Sequence, residues 1–385
     1  MDPKTFRSPE SGRTIRTQTG YWAFLPMPLP PEVSWSVEMV TALSDAERGL
    51  SQLSTLAGNF PFPRLLTQPF MRQEAVLSSR IEGTRASLKD LYKYESAQLS
   101  LLERSDDVRE VHNYVLALEH GLKRLETLPV SLRLIREIHA RLLEDVRGGN
   151  MTPGKFRQTQ NWIGPAGSTL NSATYVPPPV DEMHLALDAL EKFIHTDVDI
   201  PVLARAGLIH YQFEAIHPFL DGNGRIGRLL LVLLLCEWRL LPQPLLNLSV
   251  YFEHYRQEYY DRLLAVSQRG KWEEWLRFFF RGISTQAQDG VMRMSHLQGM
   301  RTKYEDFVQF DRNPGRMAKV VDFLFTRPIL TARQLASGLG LPAKTAGQYI
   351  EKLVQAGILR EMTGYARNRV YQAGEILKAI EGSKE

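Results

Sequence analysis

His217-Pro-Phe-Leu-Asp-Gly-Asn-Gly-Arg-Ile-Gly-Arg228 joins two apolar runs, and its residue types point to phosphate chemistry. Gly222, Asn223 and Gly224 let consecutive backbone N–H groups converge on one concavity, an anion nest. The helix expected from about Arg225 adds unpaired N–H groups and the positive end of its dipole. Arg225 and Arg228 fall three apart on its first turn, on roughly one face. Two cations there oppose the dipole by about 0.3–1 kcal/mol each. A structural role explains that placement poorly and a bound polyphosphate explains it well. Asp221 is a hard oxygen ligand suited to a magnesium ion bridging phosphates. His217 has the one side chain in the loop that takes a proton near neutral pH. A base, a metal carboxylate, a phosphate cradle and two guanidiniums in one short segment describe phosphoryl or nucleotidyl transfer.

Outward from this segment the pattern is helical. Periodicity predicts helices at about 36–57, 69–82, 87–95, 106–124 and 131–145, with Pro61, Pro63 and Pro69 breaking the first gap. Helices resume at 181–195 and 201–216, and a very apolar one follows the loop from 225 to about 240. Two more are expected at 250–268 and 271–288, and another over 290–310. Residues 154–179, punctuated by Gly154, Gly164, Gly167 and Pro177–Pro179, read as a hairpin or flap between helices. The first 35 residues, with Pro26, Pro28, Pro30 and Pro31, read as an extended arm whose Tyr21, Trp22, Phe24 and Leu25 dock on the body.

The 217–228 segment resembles the Fic-family signature, His-x-Phe-x-(Asp/Glu)-Gly-Asn-Gly-Arg-x-x-Arg, at every fixed position. The resemblance implies a transferase that moves AMP from ATP onto a Tyr, Ser or Thr hydroxyl of a target protein or of itself, releasing pyrophosphate. His217 would be the general base. Asp221 would hold magnesium. Gly222, Asn223, Gly224 and Arg225 would bind the α- and β-phosphates, Arg228 the γ-phosphate, and Phe219 would anchor the loop. Some relatives use other nucleotides or phosphocholine, or transfer phosphate. Upstream, Ser78 and Glu82 are four apart on one side of a helix that Gly83 ends. Spacing alone leaves them as ordinary surface residues. The segment also resembles the family's inhibitory pattern (Ser/Thr)-x-x-x-Glu-(Gly/Asn), which implies that Glu82 pairs with Arg228 and leaves ATP unproductively bound.

The resemblance further implies that the flap, through residues such as Trp162 and Tyr175, registers an extended target segment by strand addition; a plain structural hairpin fits the residues equally. Tyr259 and Tyr260 resemble a tyrosine pair that borders the adenine pocket, and an aromatic face there can stack on a base. Core packing is the alternative. His210 and Cys236 read as core. Residues 314–372 resemble a winged helix, with helices at 316–326, 331–338 and 343–356 and then a hairpin. Residues 313–385 hold eleven Lys and Arg against six Asp and Glu. That excess suits DNA contact through Lys344, Gln348, Arg367 and Arg369, though winged helices also dock proteins.

The expected fold is therefore mainly α: an arm (1–35), a helical region with the inhibitory helix (36–105), a Fic helical core with its β-hairpin flap (106–290), a connecting helix (291–313) and a winged helix-turn-helix domain (314–385). The 385 residues suffice for two or three domains, and the net charge of +4 implies neither nucleic acid nor membrane by itself. The single cysteine excludes an intrachain disulfide and fits a cytoplasmic protein. No secretory signal is visible, and Leu229–Cys236 is too short for a membrane span. ATP, a target hydroxyl, DNA and a second copy of the chain are the expected partners, with magnesium as cofactor. Two rival classes remain: a transferase of the same fold with another donor or group, and an ATP-sensing DNA-binding regulator, which would not need His217.

Overall fold

The computed structural model describes residues 1–59, 63–96, 106–146, 151–364 and 367–382. An antiparallel hairpin opens the chain, β1 (Gly12–Arg16) pairing with β2 (Trp22–Pro26) from Gly12↔Pro26 to Arg16↔Trp22. Helices follow: α1 (Val37–Gly58), α2 (Pro63–Ile81), α3 (Leu88–Glu95), α4 (Asp106–Arg124) and α5 (Leu132–Leu142). After the flap come α6 (Val180–His195), α7 (Val202–Ile216), α8 (Asn223–Glu237), α9 (Leu248–His254), α10 (Arg256–Arg269) and α11 (Trp272–Gln309). The C-terminal module contains α12 (Pro314–Thr326), β3 (Ile329–Thr331), α13 (Ala332–Leu339), α14 (Ala343–Gln355), β4 (Arg360–Glu361), β5 (Val370–Gln372) and α15 (Gly374–Glu381). Its three strands pair antiparallel in the order β3-β5-β4.

The helix starts follow local chemistry. Ser36 caps α1 by accepting the Met39 N–H, and Ser87 and Asp90 form a reciprocal capping box on α3. The stripe Met39, Leu43, Leu50 and Leu53 of α1 is buried against α11. α7 is buried on almost all sides, which places it at the centre and explains its lack of a polar face. Trp275 on α11 donates to the Gly207 carbonyl of α7 at 3.0 Å and packs beside His210, Phe252 and Tyr259.

Several expectations change. The arm is not simply extended: 12–26 is the hairpin, tied to the flap by the Phe24 N–H on Val176 O at 2.8 Å. Trp22 and Ala23 meet the pleat's demands, but a five-residue strand leaves little periodicity to read. α2 does not start at Pro69; it begins at Pro63 and carries Pro69 inside. A proline in the first turn costs no intrahelical bond, and burial of Leu66, Phe70 and Met71 outweighs the bond lost at Pro69. Pro61 lies outside the described residues. The region 250–268 divides at Tyr255 into α9 and α10. The expected connecting helix is continuous with its predecessor, since α11 runs 38 residues, through Gly282 and Gly290. A Cβ on Gly290 would sit 3.1 Å from Leu53, so this glycine admits α1 closely rather than ending the helix. The flap has one bridge, Ile163↔Tyr175, instead of a full hairpin. α15 was not anticipated.

The C-terminal module is seated on the helical body. Gln73 of α2 accepts from Asn247 at 2.8 Å and also from Arg293, whose Nη1 donates to Ile380 O at 2.8 Å. Gln334 donates to Glu95 O at 3.1 Å. Among the described residues no helix is long and apolar enough to cross a membrane. Trp275 anchors the centre of this body, so Trp275→Ala is expected to destabilise it by about 3–5 kcal/mol. A denaturant midpoint that hardly moves would contradict that placement.

Candidate active site

His217 closes α7 in the left-handed conformation, at φ 49° and ψ 60°, with its N–H still on Phe213 O at 3.0 Å. For a residue with a Cβ this costs about 1–2 kcal/mol. Pro218 removes the right-handed alternative, because its ring clashes with a helical residue before it. Arg157 Nε and Asn161 Nδ2 both donate to the His217 carbonyl, at 3.1 and 3.2 Å. The turned ring places Nδ1 3.3 Å from Glu214 O. A carbonyl only accepts, so Nδ1 carries the proton and Nε2 keeps its lone pair. Burial pushes the His217 pKa down to about 4, with Arg157 adding to the fall. The ring is neutral at pH 7, the state a general base requires.

The rest of the loop is held by side chains that spacing did not single out. Phe219 is fully buried and stacks on His139, ring centroids 3.7 Å apart and 7° from parallel. His139 accepts the Gly154 N–H at Nδ1 and donates from Nε2 to Asp221 O, at 2.8 and 3.1 Å. Burial lowers its pKa to about 4. Asn223 spends its side chain on the loop itself, accepting from Phe219 N and donating to Phe219 O, both at 2.8 Å. Its expected phosphate contact can therefore come only from its backbone, in the first turn of α8. Gly222 precedes that turn at φ +80°, which a side chain would resist. Asp221 is 43% exposed and accepts the Gly222 N–H at 2.6 Å.

The two arginines part company. Arg225 is buried and lies 3.1 Å from Glu110 of α4, with Asp221 at 3.6 Å. Arg228 reaches across to α2. Its Nε donates to Ser78 Oγ at 2.9 Å, and Nη2 donates to Ser78 O at 2.9 Å and to Glu82 Oε1 at 2.6 Å. Its Nη1 is buried without a hydrogen-bond partner. Glu82 follows the last turn of α2, its side chain about one-third exposed in the cavity. Burial opposes its charge, but Arg228 outweighs burial and holds the carboxyl below its ordinary range. The stability this supplies is present above the unfolded carboxylate pKa and is lost as pH falls through the depressed one. Glu82 sits directly over Gly224, where a Cβ would lie 2.3 Å from Oε1.

Two further carboxyls surround Arg228. Glu74 is buried and accepts from Ser249, and burial raises its pKa to about 7. Glu214 is also raised to about 7 by burial, with one oxygen unpartnered. His210 is the satisfied core group expected from its place on α7: Nδ1 donates to Gly227 O at 3.2 Å and Nε2 accepts from Tyr259 at 2.8 Å. Burial lowers its pKa to about 3. These bonds lock Tyr259 into the core. Tyr260, 38% exposed, is the tyrosine that lines the cavity.

That cavity, about 610 Å³, is walled by His217, Arg228, Glu82, Glu214, Tyr260 and the flap residue Trp162. Trp162 is 43% exposed and donates to Ser168 O at 3.0 Å. Tyr175 also borders the cavity but is buried, with its hydroxyl on Ala215 O at 2.8 Å, so it ties the flap to α7. Far from the cavity in sequence, Lys344 and Gln348 are exposed one turn apart on α14, and Arg367 and Arg369 are exposed between β4 and β5. Among the described residues no cluster of three His, Cys, Asp or Glu side chains could hold a metal alone. Asp221 fits a magnesium ion that takes its remaining oxygens from phosphates and water.

Residues 40–123 match the Fic/DOC family N-terminal profile, and residues 129–235 match the Fic/DOC family profile. Among curated proteins, protein adenylyltransferase Fic of Culex quinquefasciatus is 27% identical over 209 residues, and that of Aedes aegypti is 29% identical over 210. Each match covers 51% of this chain and only 37% of the relative. A Fic family protein from Desulfovibrio desulfuricans G20 superposes with a TM-score of 0.57 at 17% identity, over 90% of this chain and 98% of that one. A C. elegans Fic-1 structure gives 0.50 at 22%, over 69% and 75%. The fold is thus shared well beyond the shared sequence, and the loop, its two arginines and the helix that meets them all fall within the matched residues. The chain is a Fic/DOC family protein with a Fic_N segment, distantly related to the protein adenylyltransferases.

Proposed function

We propose that this protein transfers AMP from ATP to a protein hydroxyl, on a target or on itself, and that Glu82 holds it in an inhibited state. The observation that carries the reading is Arg228 Nη1, a guanidinium nitrogen buried in the cavity wall without a partner while Glu82 occupies its neighbour. A buried donor left unpaired is costly unless a ligand completes it. A triphosphate supplies the matching oxygens.

The residues divide the work as follows. His217 Nε2 accepts the proton of the attacking hydroxyl as its oxygen bonds to the α-phosphorus. The bond from that phosphorus to the bridging oxygen breaks, and pyrophosphate leaves. N–H groups at the start of α8 face the phosphates, and Arg228 meets the terminal one once Glu82 withdraws. Tyr260 offers its ring to the base. Magnesium, held by Asp221 together with the phosphates, would neutralise charge on them. Glu82 blocks this by pairing with Arg228, so the nucleotide loses the contact that would align it in line with the hydroxyl.

Intact mass after incubation with ATP and magnesium tests the reading. Glu82→Gly is expected to gain the mass of one AMP group or to label lysate proteins, the wild type much less, and Glu82→Gly/His217→Ala to lose about 10²–10⁴-fold in rate. Equal rates with and without Glu82, at matched ATP binding, would remove the inhibitor. A retained rate in the double variant would remove the base.

The depressed His217 pKa adds a pH signature. A base works when neutral, so the Glu82→Gly rate should hold steady through pH 6 and fall only toward the folded value of about 4. An acid limb centred at the ordinary 6.5 would contradict the assignment.

The winged module supports a second reading, as a duplex DNA contact, through exposed Lys344 and Gln348 on α14 and Arg367 and Arg369 on the hairpin. Lys344→Ala should then weaken duplex binding evenly across sequences and reduce the salt slope by about one. No duplex binding at low salt would dismiss it.

A further inference from the structure

A left-handed residue before proline has an easier alternative, the extended backbone that the proline favours. At His217 side-chain donors oppose that alternative. Arg157 and Asn161 converge on its carbonyl, and Asn161 also donates to Phe219 O at 2.7 Å. Arg157 is fully buried, yet its hydrogen bonds go to no carboxylate. They go to backbone carbonyls: His217, Thr159 at 3.4 Å, and Pro178 on the far stem of the flap. Its own N–H donates to Pro218 O at 2.9 Å. A buried cation without an anionic partner is an expensive way to fill space. A fork of donors that spans three carbonyls is something only a guanidinium provides.

Both residues belong to the first stem of the flap, and the same guanidinium grips the second stem. We propose that Arg157 and Asn161 are positioning residues that hold His217 in its left-handed turn and make the flap and the base one rigid unit. A target segment seated on the flap is then registered on Nε2 without further adjustment. The inference rests on the reading of His217 as base and adds how its ring is aimed. Loss of either residue lets His217 relax toward the extended form, which takes Nδ1 off the Glu214 carbonyl and Nε2 out of line.

The test uses the full chain carrying Arg157→Lys or Asn161→Asp, alone and with Glu82→Gly. Asn161→Asp keeps the shape but faces two carbonyls with an acceptor. Each variant is expected to lower kcat of the Glu82→Gly form about 10- to 100-fold. KM for ATP should stay within about twofold, because the phosphate cradle is untouched. Nitrogen-15 spectra should show His217 losing its single Nδ1–H tautomer. A folded variant with unchanged kcat, a KM raised in step with the loss of rate, or a retained single tautomer would each overturn the proposal. If Glu82→Gly itself transfers nothing, the transfer reading fails, and the tautomer comparison between wild type and variants still decides whether Arg157 and Asn161 aim the ring.

Discussion

A buried guanidinium needs partners, and at Arg228 a distant segment of the chain supplies them for two of its three nitrogens. Two of its nitrogens take the hydroxyl and carbonyl of Ser78 and the carboxylate of Glu82. This bridge spans 150 residues of chain and fixes α2 against the start of α8. Removing one partner from such a buried pair costs far more than the pair adds over an apolar contact. Helix α2 is therefore not a loose appendage. It is packed on α4, α9 and α12, and its Gln73 shares a buried polar junction with Arg293 and Asn247. Glu82 itself lies beyond the last turn of α2, and its side chain is partly exposed.

Around this bridge burial weakens the charge of the neighbouring titratable groups. His139, His210 and His217 all have pKa values pushed down by burial, and each has a tautomer set by a backbone partner. Three neutral imidazoles then act as fixed donors and acceptors, with only His217 facing the cavity. Glu74 and Glu214, both raised to about 7 by burial, hold less negative charge beside Arg228 than ordinary carboxylates would. Arg228 is the one Lys or Arg among the cavity-lining residues, beside the carboxyls Glu82, Glu214 and Asp261.

The helices and the loop chemistry were legible because both write themselves locally. Apolar spacing gave α1, α4, α6 and α7 to within a residue or two, and the glycines and arginines of 217–228 all fall within the seven residues 222–228. What spacing cannot show is a partner far along the chain. Arg157, Asn161, His139 and Glu110 hold the loop from 56 to 115 residues away, and no local pattern marks them. The long α11 was expected as two helices, 271–288 and 290–310, and its continuity goes with close approaches that local spacing does not show, of α9 at Gly282 and of α1 at Gly290. Tyr259 shows the same limit: packing holds it in the core, while its neighbour Tyr260 reaches the cavity.

The central claim is that the bond to the α-phosphorus is the one remade on the protein. Glu82→Gly incubated with ATP labelled at either the α- or the γ-phosphate tests it directly. The account predicts protein-bound label from the α position alone, absent when His217 is replaced by alanine. Label arriving from the γ position would mean phosphate transfer and would contradict it.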